Sequence, residues 1–189
     1  MQRASRDAII ALACQEAYVS HAYPDGEYRA PHPKAGELKW SKSFGVGGAE
    51  EGEVIEFREG FDLFIKAIEQ REIELNKKIK RKLSQQQFDA LLLLYYQKGN
   101  VKPSPQIFSF MNDGRFDEAY ALWLGAGSGE DGVKKKGLVS RRAREVAIAR
   151  EGDYGDLSKI QVWHGPPYEM EADGRTFKRT PNGERIGRK

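Results

Sequence analysis

The segment that most constrains the fold lies at residues 88–98, where apolar side chains run nearly all the way round a helical wheel. A helix at the surface of a domain keeps one polar face, so a helix this apolar belongs at the centre of a helical lobe. Ser84-Gln85-Gln86-Gln87 precedes the segment and can form a capping box, in which the Gln87 amide reaches back toward Ser84. Gly99 can close the helix at its other end.

Helical spacing recurs on both sides of this central segment. Ser5 can cap a first helix that extends to about residue 19, in which Leu12 and Glu16 share the buried face. A second pattern, at residues 53–82, indicates one long helix or two helices that join near Gly60. The other predicted helices lie at residues 105–112, 116–124 and 138–151, and a glycine-rich loop is predicted at residues 125–137.

Residues 23–48 have a different character, because proline and glycine interrupt them and apolar residues then alternate with polar ones. The motifs Pro24-Asp25-Gly26 and Pro31-His32-Pro33 are typical of turns. The alternation at residues 38–46 has the period of a strand and places Ser41 and Ser43 on the face opposite the aromatic residues. The sequence therefore predicts a small β-wing between the first helix and the long helix.

The chain changes again after about residue 156. Residues 168–177 alternate around Asp173-Gly174, a strong signal for a β-hairpin, and the chain ends in a basic tail. The predicted fold class is α+β, mostly α, with a small β-wing lobe joined by a long helix to a helical lobe. We expect a catalytic domain at residues 1–156 and a C-terminal extension at residues 157–189, formed by a short β appendage and the tail.

The composition limits the partners. A formal net charge of +3 is too small to indicate nucleic acid by itself, but it suits a polyanionic partner such as a bacterial cell wall. Cys14 is the single cysteine, so no intrachain disulfide can form, and His21, His32 and His164 have no spacing typical of a metal site. No apolar run approaches the roughly 20 residues of a membrane span. We expect a monomer without metal or cofactor.

Two carboxylates nine positions apart carry the chemistry. Glu16 lies at the end of the first predicted helix, and Asp25 lies in the turn that opens the wing. Breaking a glycosidic bond needs one protonated carboxyl group and one charged carboxyl group in unlike surroundings. A buried helix end and a solvated turn supply that contrast.

Several motifs in one order resemble the phage-type lysozyme (endolysin) family, muramidases that cut the glycan strands of peptidoglycan. Glu16 followed by Ala22-Tyr23-Pro24-Asp25 has the family's spacing, and Ser43-Phe44-Gly45-Val46-Gly47-Gly48 is similar to its Thr-Ile-Gly-x-Gly-His. The resemblance covers about residues 5–154. The later matching motifs are Gln86-Gln87-Phe88-Asp89-Ala90-Leu91, Tyr95-Tyr96-Gln97-Lys98-Gly99-Asn100, Met111-Asn112-Asp113-Gly114, Trp123 and Gly137-Leu138-Val139-Ser140-Arg141-Arg142.

The resemblance implies a lysozyme-like fold and three catalytic roles. Glu16 would be the general acid, kept protonated by burial, and Asp25 would orient a water molecule or stabilise positive charge on the sugar ring. The Ser43 hydroxyl would hold that water, with Ser41 as a competitor for the role. The sequence departs from the family pattern at Ser43, where the family has Thr, at Gly48, where it usually has His, and in a longer wing.

Two further residues are candidate substrate contacts. Gln97 can line the sugar cleft or cap its own helix end. Arg141 is placed beside Glu16 by the resemblance, where it would fix the direction of the carboxyl group. Arg142 and Arg144 are interpreted as solvated charges on the last helix.

The predicted activity is hydrolysis of the β-1,4 bond between N-acetylmuramic acid and N-acetylglucosamine. The alternatives are a lytic transglycosylase that uses Glu16 alone, and a non-catalytic wall-binding module. Arg3 and Arg6 precede a short apolar run, but Asp7 and Glu16 favour a first helix over a signal peptide. We therefore expect synthesis in the host bacterial cytoplasm without a clear signal peptide, and action on the cell wall in the periplasm.

Overall fold

The computed structural model describes residues 1–25, 39–98, 104–126, 136–165, 168–170, 177–179 and 183–187. These residues form six α-helices and eight short strands, so the fold is mostly α with small sheets, as predicted. The helices are α1 (Arg6–Glu16), α2 (Phe57–Lys78), α3 (Gln85–Lys98), α4 (Ser104–Asp113), α5 (Phe116–Gly125) and α6 (Lys136–Glu151). The strands are β1 (Tyr18–Val19), β2 (Tyr23–Asp25), β3 (Lys39–Lys42), β4 (Val46–Gly47), β5 (Lys159–Trp163), β6 (Tyr168–Met170), β7 (Phe177–Arg179) and β8 (Gly183–Gly187).

The chain divides into two compact units. The first contains residues 1–12 and 68–156, and the second contains residues 13–67 and 157–189. Residues 157–189 cluster with residues 13–67, and the predicted division into a catalytic domain at residues 1–156 and an extension at residues 157–189 stays a prediction. None of the described helices is long and apolar enough to cross a lipid bilayer.

Helix α3 forms the centre of the first unit, as its composition predicts. Its side chains from Leu91 to Leu94 are all buried. The predicted capping box is confirmed, because the Ser84 amide donates to Gln87 Oε1 at 3.0 Å and the Gln87 amide donates to Ser84 Oγ at 3.2 Å. The two side chains thus satisfy amides that the first turn of the helix leaves without carbonyl partners.

The buried carboxylate of Asp89 in α3 binds residues near both ends of the sequence of the first unit. Asp89 is fully buried and accepts hydrogen bonds from the Ser5 amide at 3.0 Å, the Gln85 side chain at 2.8 Å and the Tyr154 hydroxyl at 2.6 Å. Three donors replace the water that the carboxylate loses on burial. Burial and the bond to Asp89 raise the pKa of Tyr154 to about 12, so the phenol stays a donor.

The second unit contains the predicted wing, which is confirmed as an antiparallel sheet in the order β2-β3-β4. Tyr23 pairs with Ser41, and Ser41 pairs with Gly47. The prediction of a continuous strand through residues 38–46 is wrong, because the chain turns between Lys42 and Val46. Phe44 lies in that turn and is fully buried, so its apolar side chain reflects burial in a turn and not strand alternation.

An aromatic cluster fixes this turn to the start of α2. The ring of Phe44 lies 4.6 Å from Phe64, 5.5 Å from Tyr18 and 6.1 Å from Phe57, measured between centroids. Aromatic pairs at these distances stabilise a fold beyond the area that they bury. Helix α2 is continuous, which decides between the two predicted alternatives in favour of one long helix.

The C-terminal residues add strands to the second unit. β5 pairs in parallel with β1 and antiparallel with β8, so Val162 lies opposite Tyr18. β6 and β7 pair antiparallel, with Met170 opposite Phe177, which is the register expected of the predicted hairpin. Its Asp173-Gly174 turn, the Pro31-His32-Pro33 segment, Gly99 and most of the predicted loop at residues 125–137 lie outside the described residues.

Candidate active site

Glu16 is the last residue of α1 and is half-buried. The helix ends here, not near residue 19 as predicted, because Ala17 adopts a left-handed conformation with φ 61°. The Ala17 amide still donates to the Ala13 carbonyl at 3.1 Å, and the chain then enters β1. A non-glycine residue in this conformation is strained and is held only where the surrounding structure demands it. The backbone around Glu16 is therefore tightly specified.

The turn between β3 and β4 brings Gly45 against the Glu16 carboxylate. A Cβ atom built on Gly45 would lie 3.4 Å from Glu16 Oε2 and 4.0 Å from the Tyr23 hydroxyl oxygen. Gly45 also has φ +75°, which L-residues with a side chain rarely adopt. The positive φ explains why glycine stands at the third position of the Ser43-Phe44-Gly45 motif, and the distance to Oε2 places the motif beside the predicted acid.

Asp25 is the last residue of β2, and its backbone pairs with Lys39 two positions after the pair formed by Tyr23. Its side chain lies outside what the structure describes. The separation of the Glu16 and Asp25 carboxyl groups therefore stays a prediction.

Ser43 has a defined structural partner. It is 0% exposed, has φ 53°, and its hydroxyl donates to the Gly60 carbonyl of α2 at 2.8 Å. Its amide and carbonyl both bond to Val19 at 3.1 Å. Ser41, the competitor, is also buried, within β3. The Ser43 contacts hold the turn in place, and its predicted catalytic role stays a prediction.

The first unit contains a polar network that sequence reasoning missed. Arg142 Nη2 donates to Gln97 Oε1 at 2.5 Å and to Glu145 Oε1 at 2.6 Å, and Trp123 Nε1 donates to Glu145 Oε2 at 2.6 Å. The interpretation of Arg142 as a solvated charge is wrong, because it is 0% exposed, whereas Arg144 is exposed as expected. A charged side chain this deep needs a carboxylate partner, and Glu145 is that partner.

A signal for this network is present in the sequence. Arg142, Glu145, Val146 and Ala149 follow helical spacing and share one face of α6, and all four are buried. Two charges of opposite sign on an apolar face, three residues apart, indicate a buried ion pair and not a solvated one.

Burial raises the pKa of Glu145 to about 7, because desolvation disfavours its charged form. The charges of Arg142 and Arg141 and the hydrogen bond from Trp123 oppose this effect in part. Arg141 is half-buried, and both its predicted position beside Glu16 and its contact with substrate stay predictions. Gln97 is half-buried at the end of α3, where Arg142 orients its amide.

The described residues contain no group of three or more His, Cys, Asp or Glu side chains placed to hold a metal ion.

The fold matches solved structures of lysozymes. The muramidase domain of SpmX from Asticaccaulis excentricus is 21% identical, with a TM-score of 0.67, over 79% of this chain and 99% of that one. The endolysin from Escherichia coli O157:H7 phage FAHEc1 is 22% identical, with a TM-score of 0.66, over 82% of this chain and 98% of that one. At these identities the likeness shows the fold. No match was found among curated protein sequences.

The family model described as phage lysozyme matches residues 14–145, which is more than half of the chain. The matched region contains Glu16, the Gly45 turn and the Arg142–Glu145 pair. The chain therefore belongs to the phage lysozyme family.

Proposed function

We propose that this protein is an endolysin-type muramidase that hydrolyses the β-1,4 bond between N-acetylmuramic acid and N-acetylglucosamine in bacterial peptidoglycan. The observation that carries the proposal is the position of the Glu16 carboxylate at a strained helix end, against the bare backbone of Gly45. The family match supports the substrate class.

Glu16 acts as the general acid in this proposal. It donates its proton to the glycosidic oxygen as the bond from that oxygen to the sugar carbon breaks. The oxygen of a water molecule then bonds to that carbon, and the water gives up one proton, which restores the Glu16 acid. Asp25 remains charged and either orients the water or stabilises positive charge on the ring. Gly45 presents no side chain to this acid, and a Cβ atom there would lie 3.4 Å from Oε2.

Ser43 serves the site through the turn that it holds. Its hydroxyl donates its hydrogen to the Gly60 carbonyl. Ser43 could therefore bind a water only through the lone pairs of its oxygen, unless the bond to Gly60 breaks. Ser41 remains the alternative for the water-binding hydroxyl. We propose Gln97 and Arg141 as substrate contacts, with the Gln97 amide oriented by Arg142.

The proposed partner is peptidoglycan alone, with no cofactor and no nucleic acid, and the proposed working form is a monomer. The enzyme would be made in the host cytoplasm and would act on the wall in the periplasm.

Digestion of purified peptidoglycan tests this function. Wild type should release soluble muropeptides, and Glu16→Gln should release almost none. Glu51→Gln is the matched control, because Glu51 is an exposed carboxylate in the same unit, and it should behave as wild type. Binding of wild type to the wall without release of fragments would reject the proposal in favour of a non-catalytic binding module.

A further inference from the structure

A cavity of about 390 Å³ opens on the first unit, and none of the candidate site residues lines it. Arg71, Glu74, Lys77 and Lys78, from the C-terminal half of α2, line it together with Tyr95 from α3. Three cations and one carboxylate therefore face the same space.

The carboxylate in this cavity is already engaged. Arg71 Nη1 and the Tyr95 hydroxyl each donate to Glu74 Oε2 at 3.0 Å. Burial acts to raise the pKa of Glu74, but the hydrogen bonds from Tyr95 and Arg71, with the charges of Arg71 and Lys78, lower it below its ordinary value. Glu74 is thus charged at neutral pH, and the lining carries two excess positive charges.

The two lysines supply that excess. Among the described residues neither Lys77 nor Lys78 forms an ion pair with a carboxylate. Lys78 Nζ lies 5.9 Å from the centroid of the Tyr95 ring, and Arg71 Cζ lies 5.6 Å from it. The helix dipole favours cations in the last turn of α2, which accounts for the lysines. It does not account for Arg71, about two turns earlier, or for the cavity that they share.

We propose that this cavity binds a phosphate group carried by an anionic polymer of the cell wall. A phosphate that links two units of a polymer is a diester with a charge of about −1 at neutral pH, and one that ends a chain is a monoester with about −1.5 to −2. The two excess positive charges of the lining attract either group. Arg and Lys are the side chains that bind phosphate oxygens most effectively. The choice of a wall polymer rests on the proposed function, whereas the phosphate chemistry rests on Arg71, Lys77 and Lys78.

A lipid surface is the less favoured source of the phosphate. Surfaces that bind membranes combine cations with exposed apolar side chains that enter the lipid. The large apolar side chains exposed in the described part of the chain are Met1, Val54, Phe57, Leu124 and Val139, and none of them lines this cavity.

Titration of the full chain with pyrophosphate, followed by calorimetry at low salt, tests the site. Lys77→Gln with Lys78→Gln should weaken binding by at least about tenfold. The matched control is Lys80→Gln with Lys82→Gln, which removes two exposed charges close by but outside the cavity and should leave the affinity within about twofold of wild type. An equal loss in both double variants, or no binding by wild type, would overturn the site.

A second variant predicts a change in the opposite direction. Glu74→Gln removes the one negative charge of the lining, so pyrophosphate should bind a few-fold more tightly. Unchanged or weaker binding would contradict the proposal.

Two further binding measurements identify the source of the phosphate. Phosphorylated wall polymer should retain the protein in a manner that depends on Lys77 and Lys78, and phosphatidylglycerol vesicles should not. Retention on vesicles alone would overturn the choice of a wall polymer. These measurements use no cleavage of peptidoglycan, so their failure is distinguishable from failure of the proposed enzymatic function.

Discussion

Two glutamates in the two units show how differently one residue type is positioned. Glu16 is half-buried at the end of α1, where the left-handed Ala17 and the bare backbone of Gly45 define its surroundings. Glu145 is fully buried on α6, where Arg142 and Trp123 donate to its two oxygens. The comparison teaches that burial together with an ion pair indicates a structural carboxylate. The strained backbone beside Glu16 motivates the proposal of a catalytic role for this second carboxylate.

If Glu16 is a structural residue, the contrast between the two glutamates fails. Glu16→Gln keeps the size of the side chain but removes the proton that it donates, so the rate of wall cleavage should fall by about 10²–10⁴-fold. The free energy of unfolding should change by less than about 1 kcal/mol. Cleavage kinetics and denaturant unfolding of the same sample measure both quantities. A near wild-type rate would remove Glu16 from the mechanism.

Glu145 should behave in the opposite way. Glu145→Ala removes the acceptor of Arg142 and Trp123 and leaves a buried guanidinium without its carboxylate, which should cost about 3–5 kcal/mol of stability. Denaturant unfolding at pH 8 measures this loss. An unchanged midpoint would show that the network contributes nothing, and the contrast between the two glutamates would fail.

The pH dependence of stability sharpens the same contrast. Burial raises the pKa of Glu145 from an ordinary value of 4.5 to about 7, so the folded state holds this proton more tightly than the unfolded chain does. This proton adds about 3 kcal/mol to the free energy of unfolding below pH 4.5. That contribution is lost as the pH rises through 7. Unfolding of wild type and Glu145→Gln between pH 4.5 and 8 should show this loss in wild type only. Parallel curves would contradict it.

Ser43→Ala tests whether the wing serine is structural or catalytic. The change leaves the Gly60 carbonyl without its buried donor, which should cost about 1–3 kcal/mol of stability. The rate per folded molecule should fall only slightly, since the hydroxyl already has a backbone partner. Unchanged stability with a rate loss as large as that of Glu16→Gln would assign the catalytic role to Ser43.

Gly45→Ala should affect stability less than Glu145→Ala or Ser43→Ala. An L-residue at φ +75° costs about 1–2 kcal/mol, and its methyl group would lie against Glu16 Oε2, so activity should fall as well. Gly47→Ala is the matched control, because a Cβ atom there meets nothing within 4 Å. Equal effects of the two changes would show that the Gly45 backbone has no special relation to the acid.

Local patterns in the sequence predicted most of the helices. The reciprocal bonds of Ser84 and Gln87 follow from a pattern of three-residue spacing, and the burial of α3 follows from its composition. The end of α1 could not be predicted, because alanine rarely adopts the left-handed conformation found at Ala17. The turn at residues 43–45 was hidden, because the buried Phe44 continues an alternation that strands also show.

Local sequence patterns could not predict the long-range contacts, because such contacts depend on the tertiary fold. The parallel pairing of β1 with β5 joins Tyr18 to Val162, and no feature of either segment specifies the other. The charge of Arg142 by itself predicts a solvated side chain, whereas its place on the buried face of α6 accounts for its burial. For the candidate site, the structure places Gly45 beside Glu16, and the catalytic roles of Glu16 and Asp25 stay predictions. The bonds of Ser43 to Val19 and Gly60 depend on the tertiary fold.

The masses of the fragments that wild type releases from purified peptidoglycan test the central claim most directly. If Glu16 donates the proton and water completes the cleavage, every new end should be a reducing N-acetylmuramic acid, with one water added per broken bond. Fragments that end in anhydro-muramic acid, one water lighter, would contradict hydrolysis and assign the chain to the transglycosylase reaction.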